Sequence, residues 1–368
     1  MTVYIVLIIV LCGIALFSGL FEQARKWGLP TIMVVLFFLM AFRARTVGTD
    51  TNSYVWLFTS HGMAFSSLGE MWSSRGDITA LYDSYAWVIY QLVPFEQSIL
   101  ICNSFIICLG VYLFIREFSE TEVFSALLYV LSFCYFFAFN GMRQSVAAAI
   151  VLMALVCMRR EKYVSEVLLL IIALGIHQTS LFMVPVVIAA HILNNSQHFG
   201  AAWILFACLA AAFSIRILYA PLFEVFSGLF SHFGMYAEGA SPFSITDTTQ
   251  GRQAFLYIVI ALFMLMSVCV PGVSQTIAIH KERRTLWLMA SLCVGFGVFC
   301  TNYELLARLI YYVLPALACI LGTLSKQLDV GNKTVLVRMG LLACYLVLCL
   351  YMLYANYGNV VPYTFFWK

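Results

Sequence analysis

The stretch FNGMRQSVA, residues 139–147, joins two long apolar runs, 122–139 and 141–158, through a short polar turn. The two runs predict a tight helical hairpin, and Arg143 stands where the first helix turns into the second. An ionisable side chain at such depth is expensive in a membrane, so it usually marks the path of a substrate or an ion. The sequence therefore predicts a membrane-embedded helical fold with a functional cation at this turn.

The composition is that of a membrane protein along the whole chain. Of the 368 residues, 63% are hydrophobic and 10% are charged, with a mean hydropathy of +0.95, whereas a soluble domain carries about 25% charged residues. At about 20 apolar residues per span, residues 1–368 are predicted to form a single all-α integral membrane domain, a polytopic transmembrane helical bundle of about 12 spans. The predicted helices are 2–20, 29–43, 97–115, 122–139, 141–158, 163–177, 179–194, 200–219, 253–272, 285–301, 305–324 and 335–355. Two polar and aromatic stretches, about 44–96 and 220–252, are predicted to be outward-facing loops with short helices.

Several kinds of chemistry have no signature in the chain. The 12 cysteines fall in or beside apolar segments, without a C-x-x-C pair or a histidine at ligand spacing, so no metal site is predicted. The sequence also lacks a Walker A loop, a nucleotide-binding glycine-rich loop and a D-x-D pair for a metal–sugar nucleotide. We therefore expect no cofactor and no nucleotide-fuelled reaction.

The basic residues predict the orientation, because cytoplasmic loops carry an excess of lysine and arginine. With both termini facing outward, the inner loops hold 12 of the 20 basic residues, namely Arg25, Lys26, Arg116, Arg159, Arg160, Lys162, Lys281, Arg283, Arg284, Lys326, Lys333 and Arg338. The other eight are Arg43, Arg45, Arg75, Arg143, Arg216, Arg252, Arg308 and Lys368. Five of the inner residues are lysines, whereas every outward one except Lys368 is an arginine.

This outward preference for arginine indicates a ligand, since lysine and arginine serve topology equally well. The planar guanidinium grips phosphate or carboxylate oxygens with two parallel hydrogen bonds, and it packs against sugar or aromatic faces. We therefore predict an outward-facing site for an anionic, phosphorylated ligand. The structural alternative is that these arginines snorkel or pair with Asp77, Glu224, Glu238 and Glu304.

The first motif is RARTVGTDTNSY, residues 43–54, directly after the second predicted span. Its glycine permits a turn, and Thr49 or Asp50 can cap the helix that follows. Capping alone would explain Asp50. The functional interpretation is that the free N–H groups of this helix start, with Arg43 and Arg45 nearby, form an anion cradle.

The second motif is the Arg143-Gln144 pair at the start of the helix 141–158. An arginine in the first turn opposes the helix dipole, and such a local conflict is typical of a functional residue. The small residues Ala147, Ala148 and Ala149 leave a smooth helix face that allows a close helical neighbour. We therefore predict that Arg143 binds ligand.

Two further motifs lie near predicted outward helix ends. In GIHQTS, residues 175–180, His177 could act as a base, as a hydrogen-bond donor to a leaving oxygen, or as a structural turn residue. In YELLARLIYY, residues 303–312, Glu304 and Arg308 are spaced for a helical salt bridge. Tyr311, one turn later, suits a sugar face or the interfacial aromatic belt.

Together these four stretches resemble the EpsG family of Wzy-type polysaccharide polymerases, which includes many O-antigen polymerases. The family pattern is an arginine before V-G-T-D-T with a tyrosine three residues on, then N-x-x-R-Q-x-x-A, an H-x-S/T hairpin and an R-x-x-Y-Y/F helix. The matching residues are Arg43, 47–51, Tyr54, Asn140, Arg143, Gln144, Ala147, His177, Thr179, Ser180, Arg308 and Tyr311. The stretch YDSY, residues 82–85, departs from the family's acidic-glycine-tyrosine pattern, so the resemblance assigns no role to Asp83.

The resemblance implies an enzyme that joins repeat units on the periplasmic face of the bacterial inner membrane. Donor and acceptor would both be oligosaccharides linked to undecaprenyl diphosphate. A separate partner protein would control chain length, and the contacts would otherwise be with membrane lipids. Neither a cofactor nor a nucleic acid is implied.

The same resemblance suggests roles for the site residues. Arg143 and Arg308, helped by Arg43 or Arg45, would hold the diphosphate, and Asp50 or His177 would remove or relay the acceptor proton. Arg216 and Arg252 would hold the second lipid's diphosphate or acidic sugars. The remaining residues expected to bind substrate are Thr49, Tyr54, Gln144 and Tyr311.

Three other functions are compatible with parts of this pattern. A ligase that transfers finished glycan to a lipid acceptor would share the outward arginines and histidine. A flippase or transporter for the lipid-linked repeat predicts charges inside a central cavity and internal repeats, and neither is clear in the sequence. A membrane acyltransferase would need an acidic or amide neighbour for His177, which the sequence does not supply.

Overall fold

The computed structural model describes residues 1–75, 80–196, 199–229, 247–270, 272–301, 303–327 and 333–368. Its α-helices are α1 Thr2–Leu20, α2 Glu22–Ala41, α3 Thr51–Ala64, α4 Leu68–Arg75, α5 Ala80–Leu92, α6 Gln97–Phe118, α7 Glu122–Leu131, α8 Cys134–Phe137, α9 Met142–Arg159, α10 Tyr163–Ile176, α11 Met183–Asn195, α12 Ala201–Leu229, α13 Asp247–Val268, α14 Val273–Ile279, α15 Lys281–Phe299, α16 Glu304–Gln327 and α17 Lys333–Tyr354. Short 3-10 helices cover Gln178–Phe182 and Tyr357–Asn359.

The structure confirms an all-α polytopic membrane bundle. Within the described ranges, seven helices are long and apolar enough to cross a membrane, and three shorter helices are also apolar. The short helices α3, α4 and α5 occupy the stretch 44–96, as predicted. The second predicted loop, 220–252, is partly helical, because α12 continues to Leu229 and α13 begins at Asp247. The residues between these two helices lie outside the described part of the chain.

The described residues form two compact units. The first contains Met1–Val187 and Met339–Lys368, and the second contains Ile188–Arg338. In the first unit, α2 packs on α1 and α6, while α9 packs on α6 and α10. In the second unit, α15 packs against α12, α13, α14 and α16. The single integral membrane domain stays a prediction.

The predicted helix 122–139 is wrong, because the chain breaks in its middle. Phe133 adopts a left-handed backbone conformation with φ of 68° and separates α7 from the single turn α8. The break serves packing: the Phe136 ring meets Tyr4 of α1 edge-on at 5.1 Å, and the Tyr135 hydroxyl donates to the Leu36 carbonyl at 2.8 Å. Irregular backbone at membrane depth is tolerated where protein surrounds it, and the residues from Phe133 to Phe139 are all buried.

Helices α6 and α9 approach closely at a glycine. A Cβ added at Gly110 of α6 would lie 2.6 Å from the Ala149 carbonyl oxygen and 2.8 Å from the Ala149 Cβ. Small residues on both helices permit this approach, as the three successive alanines of α9 predicted. The contact holds α9, the helix that begins with the Arg143 turn, against α6.

We expect Gly110→Val to lower the free energy of unfolding by about 1–3 kcal/mol, because the new side chain would push α6 away from the α9 backbone. The midpoint of thermal unfolding of the purified protein in detergent measures the effect. Gly13→Val is the matched control, since a Cβ at Gly13 of α1 meets nothing within 4 Å. Equal midpoints for the two variants would contradict the close contact.

Candidate functional site

One end of the first unit gathers most of the predicted site residues. The loop that carries Gly48 and Thr49 is held between the turn before α9 and the tail after α17. Gly48 has φ of +95° and donates its N–H to the Asn359 carbonyl at 2.9 Å. The Thr49 N–H donates to the Gly358 carbonyl at 3.2 Å and to Asn140 Oδ1 at 2.5 Å. A Cβ at Gly48 would lie 2.7 Å from the Phe139 carbonyl oxygen, so the turn requires glycine.

The tail after α17 anchors the same loop from the other side. The Ala44 N–H donates to the Thr364 carbonyl at 2.9 Å, and the Phe366 N–H donates to the Phe42 carbonyl at 3.1 Å. The Tyr4 hydroxyl donates to the Val360 carbonyl at 2.8 Å. Sequence reasoning gave this tail no role, because no motif marks residues whose contribution is mainly through their backbone.

Arg43 lies beneath this loop with no exposed surface. Its guanidinium donates from Nε to Thr51 Oγ1 at 3.3 Å and from Nη1 to the Met40 carbonyl, and it stacks on the Phe139 ring at 4.6 Å. In the described part of the chain no carboxylate pairs with it, and Nη2 has no hydrogen-bond partner. Burial lowers the pKa of Arg43 to about 10, so the side chain is still a cation at neutral pH. Its predicted contact with substrate stays a prediction.

Arg45 has the opposite environment. Its side chain is 54% exposed and forms a 3.0 Å salt bridge with Glu96, which is 49% exposed. An exposed pair of this kind contributes about 0–1 kcal/mol. Arg45 can therefore exchange Glu96 for a ligand oxygen at little cost.

Arg143 forms a buried ion pair that the sequence did not predict. Its Nη2 lies 2.6 Å from Asp83 Oδ1, and the two side chains are 18% and 2% exposed. Its guanidinium also stacks on the Tyr82 ring at 4.6 Å. Ala80, Asp83 and Ala86 fall on one buried face of α5, where an acidic residue needs a partner. Their helical spacing is visible in the sequence, but it does not identify that partner.

His177 is half-buried at the junction of α10 and the following 3-10 helix. Its Nδ1 accepts the Thr179 N–H at 3.3 Å and lies 2.7 Å from the Thr179 hydroxyl. A backbone N–H can only donate, so neutral His177 carries its proton on Nε2. This contact caps the 3-10 helix, as a structural turn residue would. It also leaves Nε2 as a hydrogen-bond donor rather than a base.

The other predicted residues of the first unit lie at the same end. Asp50 occupies the N-cap position of α3 but makes no capping hydrogen bond with its side chain. The Tyr54 ring meets the Tyr82 ring edge-on at 6.5 Å, which connects the first motif to Arg143. Gln144 is buried beside Arg143 in the first turn of α9.

The second unit holds the remaining predicted residues. Arg216 is exposed on α12 and lies within electrostatic range of Cys300, where α15 ends. One turn later the Tyr219 ring contacts Tyr303 at 4.6 Å, just before α16. Arg308 and Tyr311 are half-buried on α16. Arg252 belongs to α13, but its side chain and that of Glu304 lie outside the described part of the structure.

Within each unit, the helix directions separate the basic residues into two groups. In the first unit, Arg43, Arg45 and Arg143 lie at one end; Arg25, Lys26, Arg116, Arg159, Arg160 and Lys162 lie at the other. Arg159 of α9 and Arg160, which follows it, both pair with Glu117 of α6 at that second end. In the second unit, Arg216 and Arg308 lie near the α15–α16 turn; Lys281, Arg283, Arg284, Lys326 and Arg338 lie at the opposite end.

The sequence model of the EpsG family matches residues 26–365. No curated protein and no solved structure matches the chain. The matched range includes the loop above Arg43, the Arg143 turn, the His177 junction and the α16 motif, so it covers all four sequence motifs. The chain therefore belongs to the EpsG family and is a membrane protein of the glycosyltransferase-like polysaccharide polymerase type.

Proposed function

We propose that the protein joins undecaprenyl-diphosphate-linked oligosaccharide repeat units into O-antigen or a similar surface polysaccharide. The reaction would take place at the periplasmic face of the bacterial inner membrane. The observation that carries the proposal is Arg143, a partly exposed cation held by Asp83 at one end of the first unit. The separation of basic residues within each unit supports the orientation, because the end with fewer basic residues would then face outward.

The chemistry is a glycosyl transfer without an external energy source. The acceptor hydroxyl oxygen forms a bond to the anomeric carbon of the donor, and the bond from that carbon to the diphosphate oxygen breaks. Undecaprenyl diphosphate leaves with the electron pair. Arg143 and Arg308 would offset the negative charge that develops on the leaving oxygens. Arg45 would exchange Glu96 for a further phosphate oxygen.

The acceptor hydroxyl loses its proton in this step, so a protein group must accept that proton. His177 is poorly arranged to receive it at Nε2, because Nδ1 already accepts the Thr179 N–H. We therefore assign His177 to donate a hydrogen bond from Nε2 to the leaving diphosphate. Asp50, half-buried at the start of α3, would receive the acceptor proton.

The other predicted residues would bind the two substrates. Thr49, Tyr54, Gln144 and Tyr311 would contact donor sugar or phosphate. Arg216 and Arg252 would hold the acceptor's diphosphate or acidic sugars. Arg43, which is fully buried, would contribute its positive field from beneath the loop, and a separate protein would control chain length.

Deletion of the gene tests the proposal directly. We expect the surface polysaccharide, resolved by size on a gel, to collapse from a ladder to a band with a single repeat unit. Complementation with the wild-type gene should restore the ladder. Unmodified lipid core alone would indicate loss of export or ligation, and an intact ladder with altered side groups would indicate an acyltransferase; either result would overturn the proposal.

A further inference from the structure

The carboxylate of Asp83 is among the most deeply buried acidic groups of the first unit. Asp83 lies in the first turn of α5 with 2% of its side chain exposed, and its 2.6 Å contact with Arg143 joins residues 60 positions apart. Removal of one member of such a pair leaves the other as an uncompensated buried charge. The pair therefore links the first turn of α5 to the first turn of α9.

Two further contacts restrict the Arg143 guanidinium. The Tyr82 ring covers one face at 4.6 Å. The Tyr82 hydroxyl in turn accepts a hydrogen bond from Asn103 Nδ2 of α6 at 2.9 Å, and Asn103 is 1% exposed. The guanidinium therefore lies between residues of α5, α6 and α9. Stacking on the Tyr82 ring orients its plane, and the contact with Asp83 fixes the position of Nη2.

The pair leaves a defined part of Arg143 available. Of the five N–H donors of a guanidinium, one on Nη2 is directed to Asp83, and the Nε–H is buried without a hydrogen-bond partner in the described part of the chain. Since Nε is buried, the exposed 18% of the side chain comes from its other atoms. A guanidinium anchored in this way loses little rotational freedom when it binds an oxyanion.

We propose that Asp83 is a positioning residue for Arg143: it orients the guanidinium so that its remaining N–H donors meet the leaving diphosphate. This inference rests on the proposed function and adds a residue that neither the motifs nor the family resemblance assigned. Asp83 itself does not touch the reacting atoms. Its contribution is the orientation of the cation that does.

The test compares Asp83→Asn and Asp83→Ala with wild type. Asparagine keeps the size and one acceptor oxygen for Arg143, whereas alanine removes both the acceptor and the charge. Each variant is purified in detergent and assayed with lipid-linked single repeat units extracted from the deletion strain. Initial rates are measured across substrate concentrations, and thermal midpoints are measured on the same samples.

We expect kcat to fall in graded order, by about tenfold for asparagine and about 100-fold for alanine, with KM changed much less. The matched control is Glu117→Gln, which removes the charge from an ion pair with Arg159 and Arg160 at the opposite end of the same unit. It should leave kcat unchanged.

Three outcomes would overturn the inference. The first is wild-type kcat in Asp83→Ala. The second is a loss of activity that only parallels the thermal midpoint, since that indicates a structural role. The third is a rise in KM without a fall in kcat, since that places Asp83 in ground-state binding. Failure of the proposed function is distinct, because the deletion strain would then accumulate no single repeat units and wild-type protein would show no rate.

Discussion

A chain that carries Arg143→Lys is expected to reach the membrane in normal amounts and yet to make about 100- to 1,000-fold less polymer, the range seen when one preorganised donor to a developing oxyanion is removed. Lysine keeps the charge and can still pair with Asp83, so the buried carboxylate keeps its counter-ion. It lacks the planar fork that stacks on Tyr82 while presenting further donors to phosphate. The fold should survive while the chemistry does not.

Polymer length on a gel, at matched amounts of membrane protein, measures the effect of Arg143→Lys. The control is Arg159→Lys, in the last turn of the same helix, where arginine pairs with Glu117 and stacks on the Phe118 ring at 5.5 Å. That variant should make polymer of normal length. A near-normal ladder in Arg143→Lys would remove Arg143 from the reaction.

Removal of residues 356–368 is expected to abolish polymer as well, but through the stability of the loop. The deletion takes away backbone partners of Ala44, Gly48 and Thr49 and the acceptor of the Tyr4 hydroxyl. At about 1 kcal/mol per hydrogen bond, and with burial lost too, the destabilisation is on the order of 5 kcal/mol. Trypsin should then cleave after Arg45 faster than in the wild-type protein, as identified by mass.

A point variant in the full-length chain tests whether the effect of the truncation comes from lost contacts with the loop rather than from the shorter tail. Gly358→Ala places a Cβ 2.2 Å from Asn140 Nδ2 at a residue with φ of +71°, so it should also speed trypsin cleavage after Arg45 and shorten the polymer. Gly340→Ala in α17 is the control, because a Cβ there meets nothing within 4 Å. Wild-type cleavage in the truncated chain would show that the loop holds its shape without the tail.

Apolar runs were sufficient to predict most of the helices. Long runs such as 2–20, 97–115 and 141–158 correspond to α1, α6 and α9 within a few residues, because a span must satisfy its own backbone hydrogen bonds. The same reasoning made one helix of 122–139. Hydropathy cannot detect the left-handed Phe133, since the residues on both sides of the break are equally apolar and equally buried.

The site was predictable where a motif is local and unpredictable where contacts join distant segments. The glycine turn and the helix start at Thr51 follow from residues within a few positions of each other. The pairing of Arg143 with Asp83 depends on how α5 meets α9, and the burial of Arg43 depends on the tail and Phe139. Sequence spacing contains no information on such contacts, so Arg43 and Arg143 looked alike in the motifs.

The contacts of the tail also determine when, during synthesis of the chain, the site can form. The N–H groups of Gly48 and Thr49 donate to the carbonyls of Asn359 and Gly358. The Tyr4 hydroxyl donates to the carbonyl of Val360, which is 356 positions later in the chain. At about 5–20 residues per second, roughly 15–60 s separate synthesis of the loop from synthesis of the residues that hold it. A nascent chain would therefore have its spans in the membrane before it has a formed site, and a ribosome that stalls in α17 would leave an inserted but inactive protein.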